Sequence, residues 1–205
     1  MKLDVPIIGI LRGISGDVLG PLMQASFAAG LQAIEVTMNT LGAKEMIAGN
    51  KDSVPSGKYL GMGTLRNLAE AERAYEAGAM FFVTPNVDSD VIGFALSNNI
   101  PVIAGGLTPT EVYKAWDAGA SIVKVFPCRS LGGPQYIREL RGPFDHIPLV
   151  AVGGVTIENV NEYLQAGVTG VGVGLSLFGK EAVTDKNWDA VSRNVARFIQ
   201  HCTVE

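Results

Sequence analysis

Four times in this sequence a helix-like segment runs out in Ala-Gly and gives way to a short run of strand formers. Ala29-Gly30 precedes Ala33-Ile34-Glu35-Val36, and Ala77-Gly78 precedes Phe81-Phe82-Val83. Ala118-Gly119 precedes Ile122-Val123-Lys124-Val125, and Ala166-Gly167 precedes Gly170-Val171-Gly172-Val173. The glycines lie 48, 41 and 48 residues apart, about the length of two strand-helix units. Glycine at a helix end supplies the left-handed conformation that other residues resist. Its recurrence at a near-constant period marks a repeated supersecondary unit.

The remaining apolar runs fill the pattern. Strands are expected over 5–11, 32–38, 59–64, 80–84, 102–104, 121–127, 148–152 and 168–174. Helices are expected over 17–29, 41–49, 68–76, 89–98, 110–118, 134–141, 157–165 and 188–201. Eight short buried strands, each followed by a helix, require a parallel sheet. An open doubly wound sheet calls for a Gly-rich fingerprint after its first strand, and Leu11-Arg12-Gly13-Ile14-Ser15-Gly16 has neither its spacing nor a following acidic partner. The expected fold is therefore α/β, a (β/α)8 TIM barrel, with residues 1–205 as a single domain.

Composition narrows the partners. Hydrophobic residues make up 47% of the chain and charged ones 18%, which suits extensive burial rather than disorder. Sixteen basic residues against 20 acidic ones, net −4, leave no electrostatic footprint for nucleic acid or an anionic membrane. Arg12 interrupts the first apolar run too early for a secretory signal, and no segment approaches 18 apolar residues. Cys128 and Cys202 form neither a disulfide framework nor a metal-spaced cluster. A reduced, cytoplasmic setting is expected.

Two strands carry a charge where none belongs. In 121–127, Ile122, Lys124 and Phe126 share one face; in 32–38, Ala33, Glu35 and Thr37 do. By strand count these charges stand on the second and sixth strands, across a barrel from each other. An interior ammonium costs several kcal/mol unless it loses its proton or finds a partner, so two readings stay open: a structural ion pair, or chemistry. A desolvated lysine is partly neutral amine, able to attack a carbonyl and form a Schiff base. A carboxylate nearby would then move the proton beside the imine, with no metal and no cofactor. Only His146 and His201 are present and neither is at a strand end, so a His-rich zinc site is not expected.

Barrel active sites lie at the C-terminal ends of the strands. Those ends supply Arg12, Thr37, Asn39, Thr64, Asn86 and Val152 as candidate substrate contacts beside Lys124 and Glu35. The turns after strands seven and eight, Gly153-Gly154-Val155-Thr156 and Gly172-Val173-Gly174-Leu175-Ser176, stand where barrels bind phosphate through backbone N–H groups. Gly153, Gly154, Gly172, Gly174 and Ser176 are the candidate phosphate ligands. Cys128 is read as a spare thiol, Phe82 and Phe126 as core or pocket wall, and Arg129, Arg138 and Arg141 as solvated charges.

Leu11-Arg12-Gly13, Ile34-Glu35-Val36-Thr37, Gly61-Met62-Gly63-Thr64, Val123-Lys124-Val125-Phe126-Pro127 and Gly153-Gly154 together resemble the class I 2-keto-3-deoxy-6-phosphogluconate (KDPG) aldolases and their phosphogalactonate relatives. The resemblance runs from about Ile7 to Phe178. It implies a lyase, commonly trimeric, that cleaves a 2-keto-3-deoxy-6-phospho sugar acid to pyruvate and glyceraldehyde 3-phosphate. Lys124 matches the Schiff-base lysine, Glu35 the general acid/base, Arg12 and Thr64 the keto-acid end, and the four glycines the phosphate region. Asn39 stands where the gluconate branch usually carries arginine and Val152 where it carries threonine; both look more like the galactonate branch. The two substrates differ at C4, so the expected activity is 2-dehydro-3-deoxy-6-phosphogalactonate cleavage. The alternatives are the gluconate or 4-hydroxy-2-oxoglutarate aldolase, or a non-catalytic phosphometabolite-binding barrel. Leu175 replaces a serine common near the phosphate, and Ala104 a proline before Gly105.

Overall fold

The apolar runs pair in chain order and close on themselves. A computed structural model describes residues 3–202. In it, β1 (Ile7–Leu11), α1 (Gly16–Ala28), β2 (Ala33–Thr37), α2 (Ala43–Asn50), β3 (Tyr59–Gly63), α3 (Leu68–Ala77), β4 (Phe82–Val83) and α4 (Ser89–Ser97) form the first half. The second half is β5 (Val102–Gly106), α5 (Pro109–Asp117), β6 (Ile122–Val125), α6 (Pro134–Arg141), β7 (Leu149–Val152), α7 (Val160–Gln165) and β8 (Gly170–Val173). Every strand is parallel to its neighbours, and β8 pairs with β1 to close a (β/α)8 barrel. Gly30, Gly78, Gly119 and Gly167, the periodic glycines, all have φ between 90° and 105°. The repeat is thus a repeat of helix-ending turns.

Strand alternation splits the buried residues into two sets. Leu60, Met62, Val123, Val125, Leu149 and Ala151 face the helices and join the large outer core. Ile8, Ala33, Phe81, Val83, Ile103, Val150 and Val152 face the barrel axis. Each wholly buried aliphatic side chain contributes about 1.5–3 kcal/mol. The axis is packed with side chains, and charges enter it only at its upper end.

Three departures from the sequence reading have local causes. Regular pairing in β4 covers two residues rather than five; at its C-terminal end Gly105 N–H donates to the Thr84 hydroxyl at 3.0 Å where a continued ladder would use the Thr84 carbonyl. Helix α7 begins at Val160 rather than 157, since Asn159 Oδ1 accepts Thr156 N–H at 2.8 Å and holds the chain in a turn. After β8 come two short helices that the sequence reading did not expect, α8 (Leu175–Phe178) and α9 (Lys180–Thr184), broken apart at Gly179 with φ +83°, before α10 (Trp188–Gln200).

Candidate active site

Barrel closure sets β2 opposite β6, and strand alternation turns Glu35 and Lys124 inward. Both are buried, Glu35 at 2% and Lys124 at 6% exposure. The glycines beside them make the room. A Cβ on Gly63 would lie 2.5 Å from the Glu35 carboxylate, and Gly105 is the register partner of Lys124. The two charges do not form an ion pair. Glu35 Oε2 is buried with no hydrogen-bond partner, and Lys124 Nζ sits 4.8 Å from the centre of the Phe126 ring.

Burial dominates the electrostatics of both groups. It pushes the Lys124 ammonium below its ordinary range; Glu35 opposes that shift, and the Arg12 charge adds to it. It pushes the Glu35 carboxyl above its ordinary range, against the pull of Lys124 and Arg12. Each group is thus moved toward neutrality, the direction that suits a nucleophilic amine and a carboxyl that takes up and returns a proton.

The cavity around them holds about 400 Å³. Ten of the expected residues line it: Arg12, Glu35, Thr64, Lys124, Val152, Gly153, Gly154, Gly172, Gly174 and Ser176. Arg12 is braced by Asn39 Oδ1 at 2.9 Å and Thr64 Oγ1 at 3.2 Å. Thr64 has φ +58°, a conformation that a β-branched residue adopts only under strain of about 1–3 kcal/mol. The strain presents its hydroxyl to Arg12.

Three expected contacts stand outside the cavity wall. Asn39 holds Arg12 from behind. Thr37 is wholly buried, with its hydroxyl 3.0 Å from that of Thr40, which also accepts the Gly13 N–H and so ties the turn after β1. Asn86 offers its carbonyl to the Thr84 hydroxyl at 2.6 Å, while Pro85 reaches the cavity in its place. Ile10 is a wall residue that sequence reasoning missed, and Pro85 one whose strand end it placed at the site without choosing it as a contact. Ile10 was legible in principle, lying two before Arg12 on the inward face. Phe126 is wall, as expected, whereas Phe82 faces the helices.

At the opposite end, Gly153 and Gly154 take φ values of +99° and +83°, and a Cβ on Gly154 would meet the stem of Arg129 at 2.5 Å. Only glycine fits this turn, which brings backbone to the cavity edge next to Gly174 and Ser176. Cys128 is buried, which pushes its thiol up to about 11, so it carries no thiolate near neutral pH. Among the described residues no His, Cys, Asp and Glu cluster is arranged to hold a metal ion, and no helix is long and apolar enough to cross a membrane.

Comparison with known proteins agrees with this geometry. The family model "KDPG and KHG aldolase" matches residues 3–194. The 2-dehydro-3-deoxy-6-phosphogalactonate aldolase of Escherichia coli K12 is 36% identical over 176 residues, 85% of each chain. A solved structure described as native KDPGal superposes with a TM-score of 0.89 at 32% identity, covering 98% of this chain and 96% of that one. The KDPG aldolase of Legionella pneumophila, solved with pyruvate captured at low pH as a covalent carbinolamine, superposes at 0.87 with 25% identity, covering 94% and 93%. With a closed eight-stranded barrel, an inward lysine and carboxylate, and a match over nearly its whole length, the chain belongs to the KDPG and KHG aldolase family of lyases.

Proposed function

We propose that this protein is a class I aldolase that cleaves 2-dehydro-3-deoxy-6-phosphogalactonate to pyruvate and D-glyceraldehyde 3-phosphate, without metal or cofactor. The observation that carries the chemistry is the pairless burial of Lys124 and Glu35 in one cavity. A lysine kept only to neutralise Glu35 would contact it, as a non-catalytic barrel requires; this one does not.

The neutral Lys124 amine adds to the C2 carbonyl; protonated Glu35 gives its proton to the departing hydroxyl, and loss of water from the carbinolamine leaves a protonated imine and an ionised Glu35. Ionised Glu35 takes the C4 hydroxyl proton as the C3–C4 bond breaks. Its electron pair enters the imine to form an enamine, and the aldehyde departs. Glu35 returns the proton to C3, and water hydrolyses the resulting protonated imine to pyruvate and free Lys124, the released proton going back to Glu35. Arg12, held by Asn39 and Thr64, faces the substrate carboxylate, and the turns at Gly153-Gly154 and Gly174–Ser176 face the phosphate.

Val152 supports the galactonate epimer. It lines the cavity, and its methyl occupies the space a Cβ on Gly172 would need, 2.7 Å away. A threonine there would offer a hydroxyl to one C4 configuration. The gluconate epimer is the second reading, favoured by the KDPG aldolase likeness. A cytoplasmic homotrimer is proposed on the family resemblance together with exposed apolar side chains such as Leu41, Leu96 and Tyr113. Light scattering at three times the 21.6 kDa chain mass checks the subunit number.

The test of the reaction is borohydride reduction with pyruvate, read by intact mass and peptide mapping. A reduced pyruvate adduct on Lys124, absent in Lys124→Ala, is expected; a folded wild-type protein that takes no adduct overturns the aldolase reading. Cleavage rates on the two epimeric phospho sugar acids, in wild type and Val152→Thr, then decide the substrate. The substitution is expected to move the galactonate-to-gluconate ratio of kcat/KM about tenfold toward gluconate, about 1.4 kcal/mol, the net worth of one hydrogen bond.

A further inference from the structure

The cavity that holds Lys124 does not end at Ser176. Thr156 and Ser176 line it, and they also line a second cavity of about 310 Å³ whose far wall is α10. Helix α10 is fastened there. Asn194 Nδ2 donates to the Phe178 carbonyl at 3.0 Å, Phe198 is buried, and Gly179 lacks the Cβ that would strike the Asn194 amide. Three residues on from Asn194, and so on the same face, Arg197 lines this second cavity. Its guanidinium forms no ion pair among the described residues. The acidic residue in that wall is Glu158, whose carboxyl is held below its ordinary range first by the neighbouring Thr156 side chain and only secondarily by the Arg197 and His201 charges.

The first cavity has no cationic side chain at this end. Its cations are Arg12, engaged by Asn39 and Thr64, and Lys124, consumed by imine formation. A phosphate monoester carries about −1.5 to −2 charges near pH 7, more than backbone N–H dipoles balance by themselves. We infer that Arg197 supplies the side-chain charge that recognises the substrate's distal phosphate across Thr156 and Ser176. Helix α10 thereby becomes a specificity element of the site. The inference rests on the aldolase reading above.

Arg197 is exposed, so Arg197→Gln is expected to fold as wild type, and a melting curve checks this. For the phosphorylated substrate its KM rises about tenfold with kcat nearly unchanged, the loss of one charge-assisted contact. For the unphosphorylated 2-keto-3-deoxy acid KM stays where it was. Arg197→Lys recovers part of the loss, and Glu158→Gln, which removes a like charge from the same wall, lowers the phosphorylated KM. A surface ion pair between Arg197 and Glu158 would not give these opposite signs. Arg129→Gln is the competing variant, because that stem covers Gly154.

An unchanged ratio of phosphorylated to unphosphorylated KM in Arg197→Gln, or a loss confined to Arg129→Gln, overturns the assignment. Pyruvate trapping on Lys124 needs no phosphate. Trapping intact with an unchanged ratio removes Arg197 alone, whereas no trapping in wild type removes the aldolase reading and this inference with it.

Discussion

Two glutamates in this protein are almost equally hidden from solvent, one deep in the barrel and one beneath a surface arginine, and they are electrostatically opposite. Glu35, at 2% exposure, stands inside the barrel with one oxygen unpartnered and its carboxyl pushed up by burial. Glu70, at 3%, stands in the first turn of α3 and is fully engaged. Arg66 gives it a backbone N–H at 2.7 Å and side-chain bonds from Nε and Nη2, while its own N–H donates to Asn67, the N-cap, at 3.0 Å. The Arg66 guanidinium holds the Glu70 carboxyl below its ordinary range despite burial. Low exposure alone therefore does not set a carboxyl's character; its depth and its partners do. A buried acid whose partners arrive from its own helix turn supports structure, and one left without them is available to a ligand.

Four variants would break or sharpen that contrast. The largest effect is expected at the site: Lys124→Ala loses at least about 10⁴-fold in kcat/KM, read by pyruvate release. Glu35→Gln follows, with about 10²–10⁴-fold off kcat and adduct formation by pyruvate retained. If Glu35→Gln keeps wild-type kcat, Glu35 is structural and the contrast collapses.

Stability should move the other way. Glu70→Gln costs about 1–3 kcal/mol in denaturant unfolding and leaves KM and kcat in place, because it strips charge from a satisfied network. Glu35→Gln is expected to hold or raise stability at neutral pH. The smallest effect is Asn67→Ala, about 1 kcal/mol for a lost N-cap, again without a kinetic consequence.

The pH dependence separates the two acids by sign. Glu70 has its folded pKa lowered, so its contribution is present above the unfolded carboxyl pKa of about 4.3 and is lost as pH falls through the folded value. Glu35 has its folded pKa raised. As pH rises past about 4.3 the unfolded chain releases this proton while the native state keeps it, so stability falls until native Glu35 also ionises. Lys124, with its folded pKa lowered, adds a cost below the unfolded lysine pKa of about 10.4 that fades as pH rises. Unfolding midpoints against pH should therefore diverge from wild type on the acid limb for Glu70→Gln, and on the limb above it for Glu35→Gln.

The barrel was legible because its signals are local. Helix-ending glycines, strand-length apolar runs and a two-residue side-chain period are written within a few residues of one another, and they also aim Glu35 and Lys124 at the axis. Contacts between loops were not legible. Thr37 and Asn39 have the right strand-end positions, yet Thr37 turns to Thr40 and Asn39 to Arg12, choices made by hydrogen bonds across separate turns.

The sequence by itself determined the architecture, the strands that carry the two charges, and the glycine turns after β7 and β8, since each follows from spacing along one segment. Only the tertiary structure decided that Glu35 fits into the space above Gly63 without a partner, that Pro85 rather than Asn86 forms the wall, and that α10 walls the cavity beside Thr156 and Ser176. Those outcomes depend on segments far apart in the chain meeting when the barrel closes, and no periodicity encodes such a meeting.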